Sequence, residues 1–228
     1  MQLVTTPSVA LQRDLRAEIA HNYPAGRVLV AVDGAPGSGT GEFADGLAAV
    51  FDEAGWATAR AAIEDFHRPR AERYADGRTS GRGYYESSYD YRTLRRVLID
   101  PFRMAGSAGF QTAAFDVRRD APIVSSWQTG PADIALFVDG IFLNRPELAG
   151  VWNYSIFLDV PLETAYARLA ATAGRNPDPR ADANARYVGG LERYEAEVQP
   201  ALKASAVIDN GDQEHPRRIF PDVGCACF

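Results

Sequence analysis

The chain has 228 residues and a formal net charge of −6, and 46% of its residues are hydrophobic while 24% are charged. These values exclude a disordered tail, a collagen-like chain and a disulfide-rich miniprotein, and they allow a buried core. The negative charge argues against nucleic acid or an anionic membrane as a partner, and no apolar run reaches the roughly 18–20 residues that cross a bilayer.

The first part of the chain predicts alternating helices and strands. Ser8–Tyr23 has the apolar spacing of an amphipathic helix, and Arg27–Val32 is a continuous apolar run typical of a strand buried on both faces. A glycine-rich turn follows, and then a helical pattern that extends through Phe51. A second strand is predicted near Thr58–Ile63.

The middle of the chain is more polar and less regular. His67–Asp90 is rich in arginine and tyrosine and contains several glycines, which favours a loop insertion. Tyr91–Ile99 is predicted to be a helix. Phe110–Asp116 and Ile123–Ser126 are predicted to pair as two strands.

The second half alternates again, and it contains neither a repeat nor an interdomain linker. The predicted strands are Asp133–Val138, Tyr154–Val160 and a short last strand, Ala206–Ile208; the predicted helices are Leu162–Ala173 and Ala185–Leu202. Strands separated by helices indicate a mainly parallel sheet with helices on both faces. The prediction is therefore a single α/β domain over residues 1–228.

The turn after the first strand resembles a loop that binds phosphate. In such loops successive backbone N–H groups and a helix N-terminus face one anion. The complete motif is G-x-x-x-x-G-K-[ST], in which the lysine reaches the phosphates and the hydroxyl binds Mg²⁺. The corresponding residues here are Gly34, Ala35, Pro36, Gly37, Ser38, Gly39, Thr40 and Gly41. Thr40 thus stands in the lysine position and Gly41 in the hydroxyl position, and the loop alone could also be a plain tight turn.

Further stretches extend this pattern along the chain. They are VAVDGAPGSG (30–39), IEDFHRP (63–69), GYYESSYDY (83–91), the run 110–120, LFVDGIFLNRPEL (136–148), YSIFLDVP (154–161), RYVGGLERY (186–194) and VIDN (207–210). In this order they resemble the uridine kinase family of P-loop kinases, especially its bacterial uridine kinase-like members. The resemblance implies a three-layer P-loop NTPase fold with an acceptor-side insertion (67–126), a lid-like segment (174–190) and a tail (211–228).

The resemblance also implies a reaction and its residues. The family transfers the γ-phosphoryl group of ATP or GTP, with Mg²⁺, to a nucleoside 5′-hydroxyl or a similar alcohol. The implied catalytic residues are Glu64, Asp65, Arg175 and Arg180. The implied metal ligand is Asp139, and Arg186 joins the residues 34, 37–41 of the loop in binding phosphate. The implied acceptor-side residues are His67, Arg68, Tyr84, Tyr85, Tyr89 and Arg118. Each of these residues also has a purely structural interpretation. Asp139 could be an acid that caps the turn at the end of a strand, the lid arginines could be solvated surface charges, and the tyrosines could be ordinary packing residues.

The changes at Thr40 and Gly41, with Glu42 adding a negative charge to the first helical turn, leave three hypotheses. The first is a protein that binds a nucleotide or another phosphorylated ligand, with Mg·ATP-dependent transfer impaired or repurposed. The second is an active kinase in which arginines of the lid-like segment replace the missing lysine. The third is a binding or regulatory protein without catalysis. A homo-oligomer stays open in each case.

The two ends of the chain bear on its location. The first residues lack a basic segment followed by a hydrophobic stretch, so no signal peptide is predicted and the protein is expected in the cytoplasm. Cys225 and Cys227 are the only cysteines, which excludes a disulfide framework. The ending Cys-Ala-Cys-Phe fits a prenylation pattern, but a composition with Lys203 as the single lysine looks bacterial.

Overall fold

A computed structural model describes residues 2–104, 106 and 108–221, and both cysteines of the tail lie outside this part of the chain. The strands are β1 (Arg27–Gly34), β2 (Ala57–Ala62), β3 (Phe115–Asp116), β4 (Ala121–Pro122), β5 (Ile134–Gly140), β6 (Tyr154–Asp159), β7 (Ala206–Asp209) and β8 (Arg217–Ile219). A six-stranded sheet has the order β2-β5-β1-β6-β7-β8, in which β8 is antiparallel to β7 and the other pairings are parallel.

Helices lie on both faces of this sheet. They are α1 (Pro7–Asn22), α2 (Thr40–Glu53), α3 (Arg70–Arg73), α4 (Gly81–Ser87), α5 (Tyr91–Leu94), α6 (Asp100–Met104), α7 (Leu162–Ala173), α8 (Ala185–Val198) and α9 (Pro200–Lys203). A π-helical turn, Arg95–Ile99, joins α5 to α6. Among the described residues, no helix combines the length and the apolar character that a membrane span requires.

Strand β1 shows why the sheet is buried on both sides. Val28, Val30 and Val32 belong to a core shared with α1 and α2, while Leu29 and Ala31 belong to a second core shared with the insertion and α8. Alternate side chains of a strand point to opposite faces, so a strand covered on both sides must be apolar throughout. Complete burial of each such valine or leucine contributes about 1.5–3 kcal/mol. The predicted parallel sheet with helices on both faces is confirmed.

The predicted strand pair in the insertion is much shorter than expected. The ladder of β3 and β4 is two residue pairs long, and an isolated bridge joins Phe110 to Gln128. The Asp116 side chain accepts from the backbone N–H of Arg118 and of Arg119, which turns the chain immediately after β3. Beyond Pro122 a single further backbone hydrogen bond, from the N–H of Ile123 to the carbonyl oxygen of Ala114 at 2.9 Å, ends the pairing.

Two further predictions fail near the C-terminal end. The helix predicted over 185–202 breaks at Gln199, whose φ of 51° lies in the left-handed region, and Pro200 then starts the short α9. Proline cannot continue a preceding helix because it lacks an N–H group and clashes with the previous turn. The strand predicted to be the last is followed by a further strand, β8. Its sequence, Arg-Arg-Ile, is too polar and too short to predict a strand.

Candidate functional site

The turn between β1 and α2 has a backbone that favours glycine at two positions. Gly37 and Gly39 have φ of 85° and 87°, in the left-handed region that L side chains rarely enter. A Cβ on Gly37 would lie 2.3 Å from the carbonyl oxygen of Ala165 in α7. Helix α2 begins at Thr40 in the same loop. The backbone N–H groups and the helix dipole can therefore face one anion.

The segment after β7 holds this loop from the other side. Nδ2 of Asn210 donates to the carbonyl oxygen of the fully buried Ser38 at 2.7 Å. Nη2 of Arg168 in turn donates to the carbonyl oxygen of Asn210 at 2.9 Å. A Cβ on Gly39 would lie 2.3 Å from Nε2 of Gln213, so this amide lies over the loop. Sequence analysis missed Arg168 and Gln213 because neither belongs to a local motif.

Two predicted acids lie beside the start of α2. Glu64 follows β2 directly, and Asp139 lies at the end of β5, so the parallel register brings them to one edge of the sheet. A Cβ on Gly41 would be 3.5 Å from Oδ2 of Asp139, and a Cβ on Gly140 would be 3.1 Å from Oε2 of Glu64. The loop and both acids are therefore neighbours.

Sequence analysis missed the cation that contacts this cluster, Arg60. Its Nη2 lies 2.9 Å from Oδ1 of Asp139 and donates to the carbonyl oxygen of Gly41 at 3.2 Å. Its Nε donates to Asp45 at 2.8 Å. Only 11% of the Asp139 side chain is exposed, so the guanidinium neutralises a nearly buried carboxylate. The available signal was a single charge within β2, whose other residues are alanine and threonine.

The residues present at this point do not fit a magnesium site. Gly41 offers no hydroxyl group, and Asp139, the predicted ligand, is already paired with Arg60. Among the described residues, no group of three or more His, Cys, Asp and Glu side chains is arranged to hold a metal ion. The loop backbone fits a phosphate group, whereas the side chains around it do not fit the metal that usually accompanies a nucleoside triphosphate.

The carboxyl of Glu64 differs strongly from an ordinary glutamate. Glu64 is an exposed residue, but the protein around its carboxyl desolvates it and raises its pKa to about 7, and the nearby charges of Asp139 and Asp65 add to this rise. Burial also raises the pKa of Asp65, to which Asp116 contributes. Nδ1 of His67 lies 2.6 Å from the Glu64 carbonyl oxygen, and burial lowers the pKa of this imidazole. Glu64 is therefore the acid of the cluster that can exchange a proton near neutral pH.

The predicted acceptor-side tyrosines lie in the core. Tyr84, Tyr85 and Tyr89 are all at most 7% exposed, and each packs against the ring of Phe142. Tyr84 also packs against Tyr187 of α8, with the ring centroids 5.0 Å apart. Much of each ring surface is thus covered by protein, and a role in stacking on a nucleobase stays a prediction.

The predicted lid and pocket arginines have different surroundings in the structure. Arg186 donates to the backbone carbonyl oxygens of Gly77, Ser80 and Arg73, so in this structure it fastens the insertion to α8. Arg175 lies over the ring of Tyr187 at 4.2 Å. The remaining three have other placements: Arg68 donates to the Tyr89 carbonyl, and Arg118 and Arg180 are exposed. Phosphate binding by the lid arginines stays a prediction.

A cavity of about 710 Å³ opens next to the glycine loop, between the end of β6 and α8. Gly34, Tyr194 and Glu195 contribute to its lining. Behind it, Oδ2 of the fully buried Asp33 accepts from Tyr194 and from the side-chain amide of Asn144. Burial raises the pKa of both Asp33 and Glu195. Sequence analysis missed this cavity because its walls come from distant segments.

Solved structures of other proteins share the fold of this chain over most of its length. A possible uridine kinase from Bacillus stearothermophilus superposes with a TM-score of 0.61 and 21% identity over 85% of this chain and 98% of that one. A candidate fructose transport system kinase from Silicibacter sp. TM1040 superposes with a TM-score of 0.62 and 26% identity, over 86% of this chain and 95% of that one. D-glycerate 3-kinase from Cryptococcus neoformans superposes with a TM-score of 0.54 and 13% identity, over 84% of this chain and 88% of that one. No family model matches the chain.

Proposed function

Because the chain has the three-layer α/β fold of P-loop kinases, we propose that it binds a nucleotide or another phosphorylated ligand at residues 34–41. We further propose that Mg·ATP-dependent transfer to a nucleoside or alcohol is impaired or repurposed. The observation that carries this proposal is the ion pair between Arg60 and Asp139, which occupies the predicted metal ligand. Residues 67–126 would form the acceptor side and residues 174–190 the lid.

Anion binding by the loop needs no side-chain charge. The left-handed glycines shape the turn in which α2 begins, so the N–H groups of the first helical turn and the positive end of the helix dipole can face an anion. Thr40 and Gly41 retain their own backbone N–H groups, so neither change removes a backbone donor. This supports the retention of phosphate binding.

Catalysis requires more than this backbone. A lysine beside the transferring phosphate contributes a few kcal/mol through charge-assisted hydrogen bonds, and each 1.4 kcal/mol or so changes a rate about tenfold. Thr40 cannot supply that charge, and Gly41 cannot supply the hydroxyl. Arg60 is held on the flank of α2 by Asp45 and by the carbonyl of Gly41. These contacts support a rate loss of several orders of magnitude.

The release of ADP tests the proposal. We expect a panel of nucleosides and small alcohols to give no ADP release above that of the matched variant Asp139→Asn, which keeps the side-chain shape but removes its charge. Rapid turnover that Asp139→Asn abolishes would contradict the proposal.

A specific observation favours a second candidate function, an active kinase. The raised pKa of Glu64, about 7, suits a group that accepts a proton from an acceptor hydroxyl near neutral pH. Burial raises the pKa of Tyr84, and the positive charge of Arg175 lowers it. Arg175 could therefore supply positive charge on the acceptor side. If this candidate is right, the panel shows turnover that Arg175→Gln abolishes and that Arg92→Gln, a change at an exposed arginine of α5, leaves intact.

The titration of Glu64 can be observed directly. We expect its side-chain carboxyl carbon to titrate in an NMR experiment with a midpoint near 7, protonated below that pH and ionised above it. Glu53 is the internal control, because its hydrogen bonds to Arg13 lower its pKa to about 2. Asp139→Asn should lower the Glu64 midpoint, since it removes a neighbouring negative charge. Coincident midpoints for Glu53 and Glu64 would refute the desolvation of the Glu64 carboxyl.

A further inference from the structure

A second cavity, of about 600 Å³, lies between the acceptor-side insertion and the start of α8. The guanidinium-bearing residues of its lining are Arg70, Arg73, Arg78 and Arg186, and its lining includes one carboxylate residue, Asp182. We refer to it as the basic cavity. Because the chain as a whole carries a net charge of −6, such a concentration of arginines is a local reversal of sign.

Two of these arginines are fixed by the protein. Nε of Arg73 donates to the carbonyl of Arg68 at 2.8 Å, and its Nη2 lies 3.2 Å from Asp120. Arg186 donates to backbone carbonyls only, so no carboxylate neutralises its charge among its described contacts. Arg186 also lies over the ring of Tyr74, with its Cζ 4.5 Å from the centroid. Asp120 thus offsets the charge of Arg73, and Arg186 is the fixed arginine that leaves a positive charge on the cavity wall.

The other two arginines are available to a ligand. Arg70 and Arg78 are exposed, and within the described part of the chain neither guanidinium donates a hydrogen bond or forms an ion pair. Arginine presents a planar set of donors that matches the oxygens of a phosphate or a carboxylate. Two unpaired guanidiniums beside the fixed charge of Arg186 favour an anionic group over a neutral one.

The basic cavity borders the packed aromatic rings of the acceptor-side insertion. Tyr187 lines the cavity and packs against Tyr84, which in turn packs against Phe142. The cavity therefore lies on the acceptor side of the molecule.

We propose that the basic cavity binds the phosphate or carboxylate group of a small-molecule ligand. The proposal deepens the function proposed above and rests on it, because the acceptor-side ligand would then carry a negative charge that a nucleoside lacks. Binding of the anionic group itself depends on the arginines and not on residues 34–41. The two sites can therefore be tested separately.

Isothermal titration with matched pairs of ligands tests the basic cavity. The probes are ribose 5-phosphate against ribose for the phosphate, and gluconate against glucose for the carboxylate. We expect at least one anion to bind about tenfold or more tightly than its neutral partner, as charge-assisted hydrogen bonds predict. Arg78→Gln should weaken that binding, and Arg70→Gln/Arg78→Gln should abolish the preference. Arg92→Gln, at an exposed arginine of α5 outside the cavity lining, should leave it unchanged.

A loop variant separates this proposal from the proposed function. Thr40→Glu places a carboxylate at the start of α2, where it suits the helix dipole but repels phosphate. It should weaken ATP binding and leave the anion preference intact, whereas Arg70→Gln/Arg78→Gln should do the reverse. A failure of ATP to bind the unmodified chain contradicts nucleotide binding at residues 34–41 and leaves the basic-cavity proposal standing. The basic-cavity proposal is wrong if neither anion binds more tightly than its neutral partner. It is also wrong if the preference for the anion persists in Arg70→Gln/Arg78→Gln.

Discussion

The variant Thr40→Lys/Gly41→Ser is expected to bind ATP about tenfold to a hundredfold more tightly than the unmodified chain, because a lysine beside a phosphate contributes a few kcal/mol. The added affinity should be similar with Mg²⁺ and with EDTA. Asp139 stays paired with Arg60 in this variant, so one of the two groups expected to hold the metal remains occupied. Isothermal titration under both conditions measures this.

The triple variant with Arg60→Gln in addition should behave differently. A Cβ at position 41 meets Oδ2 of Asp139 at 3.5 Å, which is ordinary van der Waals contact, so the serine fits without displacing the acid. Removal of the guanidinium then leaves a carboxylate and a hydroxyl side by side. We expect Mg²⁺ to tighten ATP binding in the triple variant, with ATP hydrolysis increasing by about a hundredfold or more.

The comparison of the two variants isolates the role of Arg60. Arg92→Gln added to the double variant is the matched control, since it removes the same charge from an exposed position. If the double variant already shows full dependence on Mg²⁺, the ion pair does not block the metal. If the triple variant shows none, the loss of metal binding has another cause.

Gly37→Ala is expected to destabilise the fold by about 2–5 kcal/mol. The left-handed backbone costs an alanine about 1–2 kcal/mol, and the overlap of its Cβ with the main chain adds about 1–3 kcal/mol. The overlapping atom is the carbonyl oxygen of Ala165, only 2.3 Å away, and a helix backbone cannot easily retreat. Urea denaturation monitored by circular dichroism measures the loss.

Gly150→Ala supplies the control for this prediction. Gly150 also has a positive φ, 68°, but a Cβ there would meet nothing within 4 Å. Its replacement should therefore cost only the backbone term, about 1–2 kcal/mol. Equal losses at the two positions would mean that the glycine loop does not pack against α7 as described.

Local patterns were sufficient for the central strands and the glycine loop. The continuous apolar run of β1, the turn glycines and the apolar spacing of α2 are all set by neighbouring residues, so the sequence predicts them. Asp139 lies at the end of β5 and Glu64 just beyond the end of β2, in one parallel part of the sheet. Their proximity to the loop follows from that topology once the strands are assigned.

Contacts between distant segments could not be predicted in this way. The pairing of Arg60 with Asp139 depends on the register between β2 and β5, which no local pattern specifies. The tyrosines of the insertion look like pocket residues in a polar stretch, yet α4 turns Tyr84 and Tyr85 into the core. The basic cavity likewise needs both the insertion and α8 in place.

The affinity of the unmodified chain for ATP, measured by calorimetry with excess Mg²⁺ and again with EDTA, tests the central claim most directly. If the main-chain groups of residues 34–41 bind phosphate while Arg60 holds Asp139, the two dissociation constants should agree within about threefold. A tightening by Mg²⁺ of about tenfold or more, about 1.4 kcal/mol, would contradict it.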